Sequence, residues 1–208
     1  MLTITKRRTT IGPDDHGRKM SLKDFEFIKT EEDYHYELSR GYITVSQVAK
    51  YFHALIVSLI RDSLGAYKTL NPERLDLILN SMECKLLIPE WESERHPDIA
   101  VYLTKPKGPK NNTLWRRWIP ELTIEVVSER STDRDYIEKR EEYWTLGIKE
   151  YWIVDGKRKR IVVLRRGKSD RIEKRLGAED VLATKLLPGF MLPIKAIMDA
   201  VAEVESDE

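Results

Sequence analysis

Leu122-Thr123-Ile124-Glu125-Val126-Val127-Ser128 is the stretch on which the fold turns. It is nearly continuous in apolar and β-branched residues, the composition of an interior strand covered on both faces. Pro97 to Leu103 (PDIAVYL) has the same character. Downstream, 133–146 is spaced as a helix, with Tyr136, Arg140, Tyr143 and Gly147 on one line and Gly147 as its stop. Residues 150–155 and 160–165 then read as a hairpin around Asp155-Gly156-Lys157-Arg158-Lys159. A last strand region reaches Leu187, Pro188-Gly189 turns the chain, and 194–204 predicts a terminal helix.

Upstream, Ser21 to Phe25 has the shape of a capping box, with Asp24 in the glutamate position, and predicts a short helix over 21–29. Tyr34 to Leu38 and Gly41 to Val45 read as paired strands about Ser39-Arg40-Gly41. Val48, Phe52, Leu55, Ile56, Leu59 and Ile60 recur at three and four, which predicts a long helix capped by Ser46 and stopped by Gly65. Asn71-Pro72 reads as a further helix start, with Leu75, Ile78 and Leu79 on its face. Lys85 to Ile88 predicts a strand. This order of elements gives a mixed sheet with helices on its faces, α/β or α+β.

The chain has 208 residues, 36 of them Lys or Arg and 35 Asp or Glu, for a net charge of +1. That length suits a single domain. Residues 1–20 are polar and read as a flexible leader, 21–204 as one domain, and 205–208 as an acidic tail. A near-neutral chain has no global field for nucleic acid or membrane, so any such partner must be held by local clusters. Cys84 is the only cysteine, which excludes an internal disulfide and a cysteine-rich zinc site and suits a reducing cytoplasm. No apolar run approaches the ~20 residues of a membrane span.

Phosphate-cradling glycine loops, a nucleophile elbow and zinc-type histidine spacing are all missing from the sequence. What remains is carboxylates on strands. Asp98 opens the PDIAVYL strand, and Glu125 lies within LTIEVVS among Ile124, Val126 and Val127. A charged glutamate there is costly to bury without compensation, which a metal ion or a paired lysine or arginine would supply. Two carboxylates meeting between adjacent strands make a hard-oxygen site suited to Mg²⁺. The alternative is a strand-end aspartate and a salt-bridged glutamate. Lys139, on the following helix, either leans back over the two acids or pairs along its own helix with Asp135 or Glu142.

The chain resembles the Uma-two family, a large bacterial group of restriction-endonuclease type within the PD-(D/E)XK nuclease superfamily. The resemblance runs from about Met20 to Met198. It is carried by Tyr36-Glu37-Leu38 with Gly41, His53 to Val57, Pro97 to Val101, Leu122 to Ser128, then Asp135, Lys139 and Tyr143. Glu150-Tyr151-Trp152-Ile153-Val154-Asp155 and Leu187-Pro188-Gly189-Phe190 complete it. Each block is weak alone; their order along the chain carries the likeness.

The resemblance implies a restriction-endonuclease-like core and a Mg²⁺- or Mn²⁺-dependent endonuclease acting on DNA. Asp98 and Glu125 would hold the metal. The superfamily's lysine lies two residues after the glutamate, where this chain has Val127, so Lys139 becomes the candidate for a migrated lysine. Glu37 is either an additional acid of the site or an edge-strand surface acid. Such nucleases often pair to cut both strands, which implies a homodimer by analogy. With Val127 in the lysine position, a nucleic-acid-binding module without catalysis is the rival reading, and a protein-interaction scaffold is a third.

Nucleic acid needs basic surface. Residues 157–175 hold ten bases against Asp170 and Glu173, and Lys157, Arg158, Lys159 and Arg160 are the densest part. Arg116 and Arg117 form a second cluster beside Trp115 and Trp118. Phosphates attract such patches whatever the base sequence. The alternative is a solvated hairpin face.

Overall fold

The computed structural model describes residues 10–47, 50–105, 118–128, 131–167 and 170–206. The chain divides into two compact units, 1–48 with 87–95 and 49–86 with 96–208.

In chain order, the elements begin with β1 (Thr10–Ile11), α1 (Leu22–Phe25), β2 (Lys29–Thr30), β3 (Tyr34–Ser39) and β4 (Tyr42–Gln47). Then come α2 (Tyr51–Leu70), β5 (Leu77–Asn80), β6 (Leu86–Ile88), β7 (Ser93–Arg95), β8 (Ile99–Tyr102) and β9 (Leu122–Val126). A π-helical turn, Arg134–Glu138, leads directly into α3 (Lys139–Leu146). The chain ends with β10 (Glu150–Asp155), β11 (Arg160–Arg166), β12 (Arg171–Gly177), β13 (Val181–Ala183), β14 (Met191–Pro193) and α4 (Ile194–Ser206).

The smaller unit is built on the antiparallel hairpin β3–β4. Its turn needs left-handed backbone at two successive residues, Arg40 (φ 50°) and Gly41 (φ 80°). Glycine adopts that conformation without strain, and arginine does so less readily. Ser21 caps α1 as expected, accepting from the Asp24 amide at 3.1 Å while its hydroxyl donates to the Asp24 carboxylate at 2.9 Å. The helix ends at Phe25, earlier than the sequence predicts. Ile11, Leu22, Phe25, Tyr36, Leu38 and Ile43 form this unit's core.

The larger unit is a six-stranded mixed sheet in the order β12-β11-β10-β9-β8-β5. Only β9 and β10 run parallel; the other neighbours are antiparallel. A parallel pair requires a crossover, and the π turn with α3 provides it. Alternation of side chains along the strands divides the core in two. Ile99, Val101, Leu122, Ile124, Val126, Trp152 and Val154 pack with α2 and α4 through Ile56, Ile60, Leu64, Ile194 and Ile197. Ala100, Tyr102, Tyr151, Ile153, Val162 and Leu164 pack instead with Tyr143 of α3 and Ile148. The first five residues of LTIEVVS are therefore the interior strand its composition predicts, with β9 buried at every position, and the strand stops before Val127 and Ser128.

Four local expectations give way. Ser46 does not cap α2, because it lies in β4 and Lys50 stands at the cap. Gly65 does not stop α2, which runs five residues further because Leu64 and Tyr67 continue its buried face. Asn71-Pro72 starts a turn and not a helix. Leu77–Asn80 pairs with β8, so ladder formation overrides local propensity. The inward line of the third helix is Asp135, Lys139 and Tyr143 with Glu142, while Tyr136 and Arg140 are only partly covered. The hairpin β10–β11 and the left-handed stop at Gly147 (φ 88°) follow the sequence reading.

Candidate active site at the end of two central strands

The register of β8 against β9 pairs Ile99 with Ile124 and Ala100 with Thr123. Continued by one step, it sets Asp98 across from Glu125. The two acids thus sit at one end of the sheet, Asp98 just before its strand and Glu125 near the end of the other. Asp98 is tied down by the backbone there: the amide of Val126 donates to Oδ2 at 2.7 Å. The same oxygen accepts from Nε2 of His53, on the first turn of α2, at 3.1 Å. A carboxylate only accepts, so the imidazole is the donor.

Glu125 is held on the α3 face, and its side chain is only 4% exposed. The Tyr143 hydroxyl donates to Oε1 at 2.5 Å. The Lys139 ammonium lies 2.8 Å from Oε2 and 3.3 Å from Oδ1 of Asp135. Asp135 is in turn fixed by the Ser131 hydroxyl on Oδ2, at 2.5 Å. Its backbone carbonyl accepts from the Tyr151 hydroxyl at 2.9 Å. Asp135, Lys139 and Tyr143 are spaced four apart, and the π turn hands this row into α3. Such turns recur at functional sites. Lys139 thus pairs both with the strand glutamate and, at i,i+4, along its own helix.

Burial works against a charged His53, but the hydrogen bond and charge of Asp98, with the further charge of Asp135, outweigh burial and the repulsion of Lys139. The imidazole pKa is therefore raised. Cys84 is buried on the α3 face with its Sγ 3.3 Å from the Tyr102 hydroxyl. Burial first, and the charge of Glu125 as well, push its thiol up to about 12. A thiol with that pKa is not a nucleophile at neutral pH.

Asp98 and His53 open onto a cavity of about 630 Å³, lined along α2 by Ala54, Val57, Arg61 and Lys68 and opposite them by Asn80 and Ser81. Among the described residues, no group of three or more His, Cys, Asp or Glu has the arrangement of a metal cage.

Glu37 belongs to the smaller unit. It lies on β3 between β4 and β7, so it is not on an edge strand, and its carboxylate is 3.4 Å from Arg95. Lys157, Arg158 and Lys159 are exposed on the β10–β11 turn. Arg158 is engaged by Asp155 at 2.9 Å, and Arg160 is partly covered with its guanidinium against Tyr136. Arg116 and Arg117 lie outside the described residues. His53, Asp135 and Tyr143 join the site without having been assigned to it from sequence. The i, i+4, i+8 row through Lys139 was the signal that could have found two of them. His53 contacts a residue 45 positions away, and no local pattern marks that.

The family model described as "Uma2: Putative restriction endonuclease" matches residues 22–195. Among solved structures, the chain is similar to a "putative nuclease belonging to DUF820" from Anabaena variabilis. Sequence identity is 16%, the TM-score is 0.65, and the match covers 88% of this chain and 99% of that one. At that identity the likeness is one of fold. No curated protein matches the chain.

Proposed function

The chain belongs to the Uma2 family, and on that premise we propose that it is a metal-dependent endonuclease that hydrolyses DNA phosphodiester bonds at Asp98 and Glu125. The observation that carries this reading is the register that, continued by one step, brings the backbones of the two acidic residues across from each other at one strand end, with Asp98 on the cavity wall.

A pair of carboxylates is the donor chemistry of the ion the family implies. Mg²⁺ is bound through one or two carboxylates and keeps its remaining sites for water and substrate phosphate. Asp98 and Glu125 would hold it. Both hydrogen bonds to Asp98 fall on Oδ2, which leaves Oδ1 for a further ligand. When bound, such an ion polarises the scissile phosphate and lowers the pKa of a water.

The chain's own residues do the positioning. Val126 and His53 fix the carboxylate of Asp98, and Tyr143 and Lys139 fix that of Glu125. Preset geometry is what phosphoryl chemistry asks of a protein, because the reaction needs alignment and charge compensation more than covalent help. Lys139 supplies the positive charge that Val127 cannot.

Supercoiled plasmid incubated with the protein and Mg²⁺ or Mn²⁺ tests the reading. Nicking by the native chain, lost in Asp98→Ala and in Glu125→Ala, is expected. No nicking, or equal nicking by the variants, overturns it. The depth of Glu125 and the full engagement of its oxygens favour one second reading, a DNA-binding chain without catalysis, which would leave the plasmid intact.

A further inference from the structure

The cavity at Asp98 has a direction. Ala54, Ser58, Arg61, Gly65 and Lys68 follow one another at four, three, four and three along α2, so they form a stripe on the face turned away from its buried Ile56, Ile60 and Leu64. Three of these five are small and make a floor. Asn80 and Ser81 form the opposite wall, at the end of β5, an outermost strand of the sheet. From His53 to Lys68 the helix rises about 22 Å at ~1.5 Å per residue. That spans some six nucleotide steps at ~3.4 Å each.

Two cations stand along this groove. Arg61 is exposed and makes no ion pair among the described residues. The Lys68 ammonium donates to the backbone carbonyl of Asp76 at 2.6 Å, a contact that anchors it without cancelling its charge. Asp62 is the only acid on α2 and also lines the cavity. At Gly65 an added Cβ would meet nothing within 4 Å, so the groove is open at its middle.

We propose that this groove is the DNA track: a strand lies along α2 with its phosphates at Arg61 and Lys68, and leads its scissile bond to Asp98. The assignment rests on the nuclease reading. It moves the principal DNA contact away from the Lys157–Arg160 turn.

Gly65→Leu and Arg61→Gln test it without touching the core. Leucine fills the groove and favours the helix more than glycine does, so thermal unfolding should be unchanged or shifted upward. Binding of a fluorescein-labelled duplex oligonucleotide is read by anisotropy over a salt series in EDTA, with no divalent ion present. Gly65→Leu should weaken binding roughly tenfold. Arg61→Gln should lower the slope of log affinity against log salt by about 1, the signature of one lost phosphate contact. Native affinity and native slope in both variants would overturn the track, as would a native chain that binds no DNA. Because the titration reads binding alone, the two proposals fail separately. Weakened binding in Gly65→Leu and a reduced slope in Arg61→Gln, together with an intact plasmid, keep the groove as the DNA-binding track and remove the nuclease. Plasmid nicking with unaltered binding removes the track alone.

Discussion

Lys139 is the residue on which the site's electrostatics depend. Its ammonium lies between two carboxylates, Glu125 and Asp135, and all three side chains are under 8% exposed. Removing the cation from such a cluster leaves buried like charges facing each other, which typically costs about 3–5 kcal/mol. Lys139→Met should therefore lower the urea midpoint by that equivalent at pH 7, with an unchanged denaturant slope. A variant as stable as the native chain would mean that the carboxylates are compensated elsewhere. As partners within the candidate site, Glu125 and Lys139 were legible in the sequence because an acid in an apolar strand must be compensated, and the next helix offers a cation. His53 was not legible in that role. Its bond to Asp98 depends on how α2 packs across the sheet, and periodicity carries no such information.

At the scale of elements, the β10–β11 hairpin was read correctly because every local signal agreed: apolar runs on both sides of an Asp-Gly turn. Its packing explains the turn further. A Cβ on Gly156 would come within 2.7 Å of the Phe52 ring and 2.9 Å of Ile56, so the turn needs glycine to approach α2. Asp155 locks it. The carboxylate accepts from the Tyr136 hydroxyl at 3.0 Å, the Arg158 guanidinium at 2.9 Å and the Arg158 amide at 3.0 Å. Burial raises its pKa, but these donors together outweigh burial and leave it lowered. A carboxylate whose folded pKa lies below its unfolded value stabilises the protein above the unfolded value, near ~3.9. That contribution disappears as pH falls through the folded pKa. Asp155→Asn should lose about 1.5–3 kcal/mol at neutral pH, the range for hydrogen bonds to a charged group. In paired denaturation curves the gap from the native chain should close below about pH 4. A gap that is constant with pH would show that the carboxylate's charge is irrelevant. Where local signals and ladder formation disagreed, as at Leu77–Asn80, the local reading failed.

Across the whole molecule, the mixed sheet with helices on both faces was legible from the order of elements, because buried strands and an intervening helix leave few topologies. The division into two compact units was not. It depends on β6 and β7 returning to the β3–β4 sheet, a pairing across some fifty residues that no local pattern encodes. No helix among the described residues is long and apolar enough to cross a membrane. The functional account rests on one claim, that the ends of β8 and β9 present two carboxylates to one divalent ion. Calorimetric titration of the native chain with Mn²⁺ reads that claim without substrate or turnover. The account predicts one bound ion per chain, with binding lost in Asp98→Asn and in Glu125→Gln. A native chain that binds no ion, or variants that bind it as the native chain does, would contradict it.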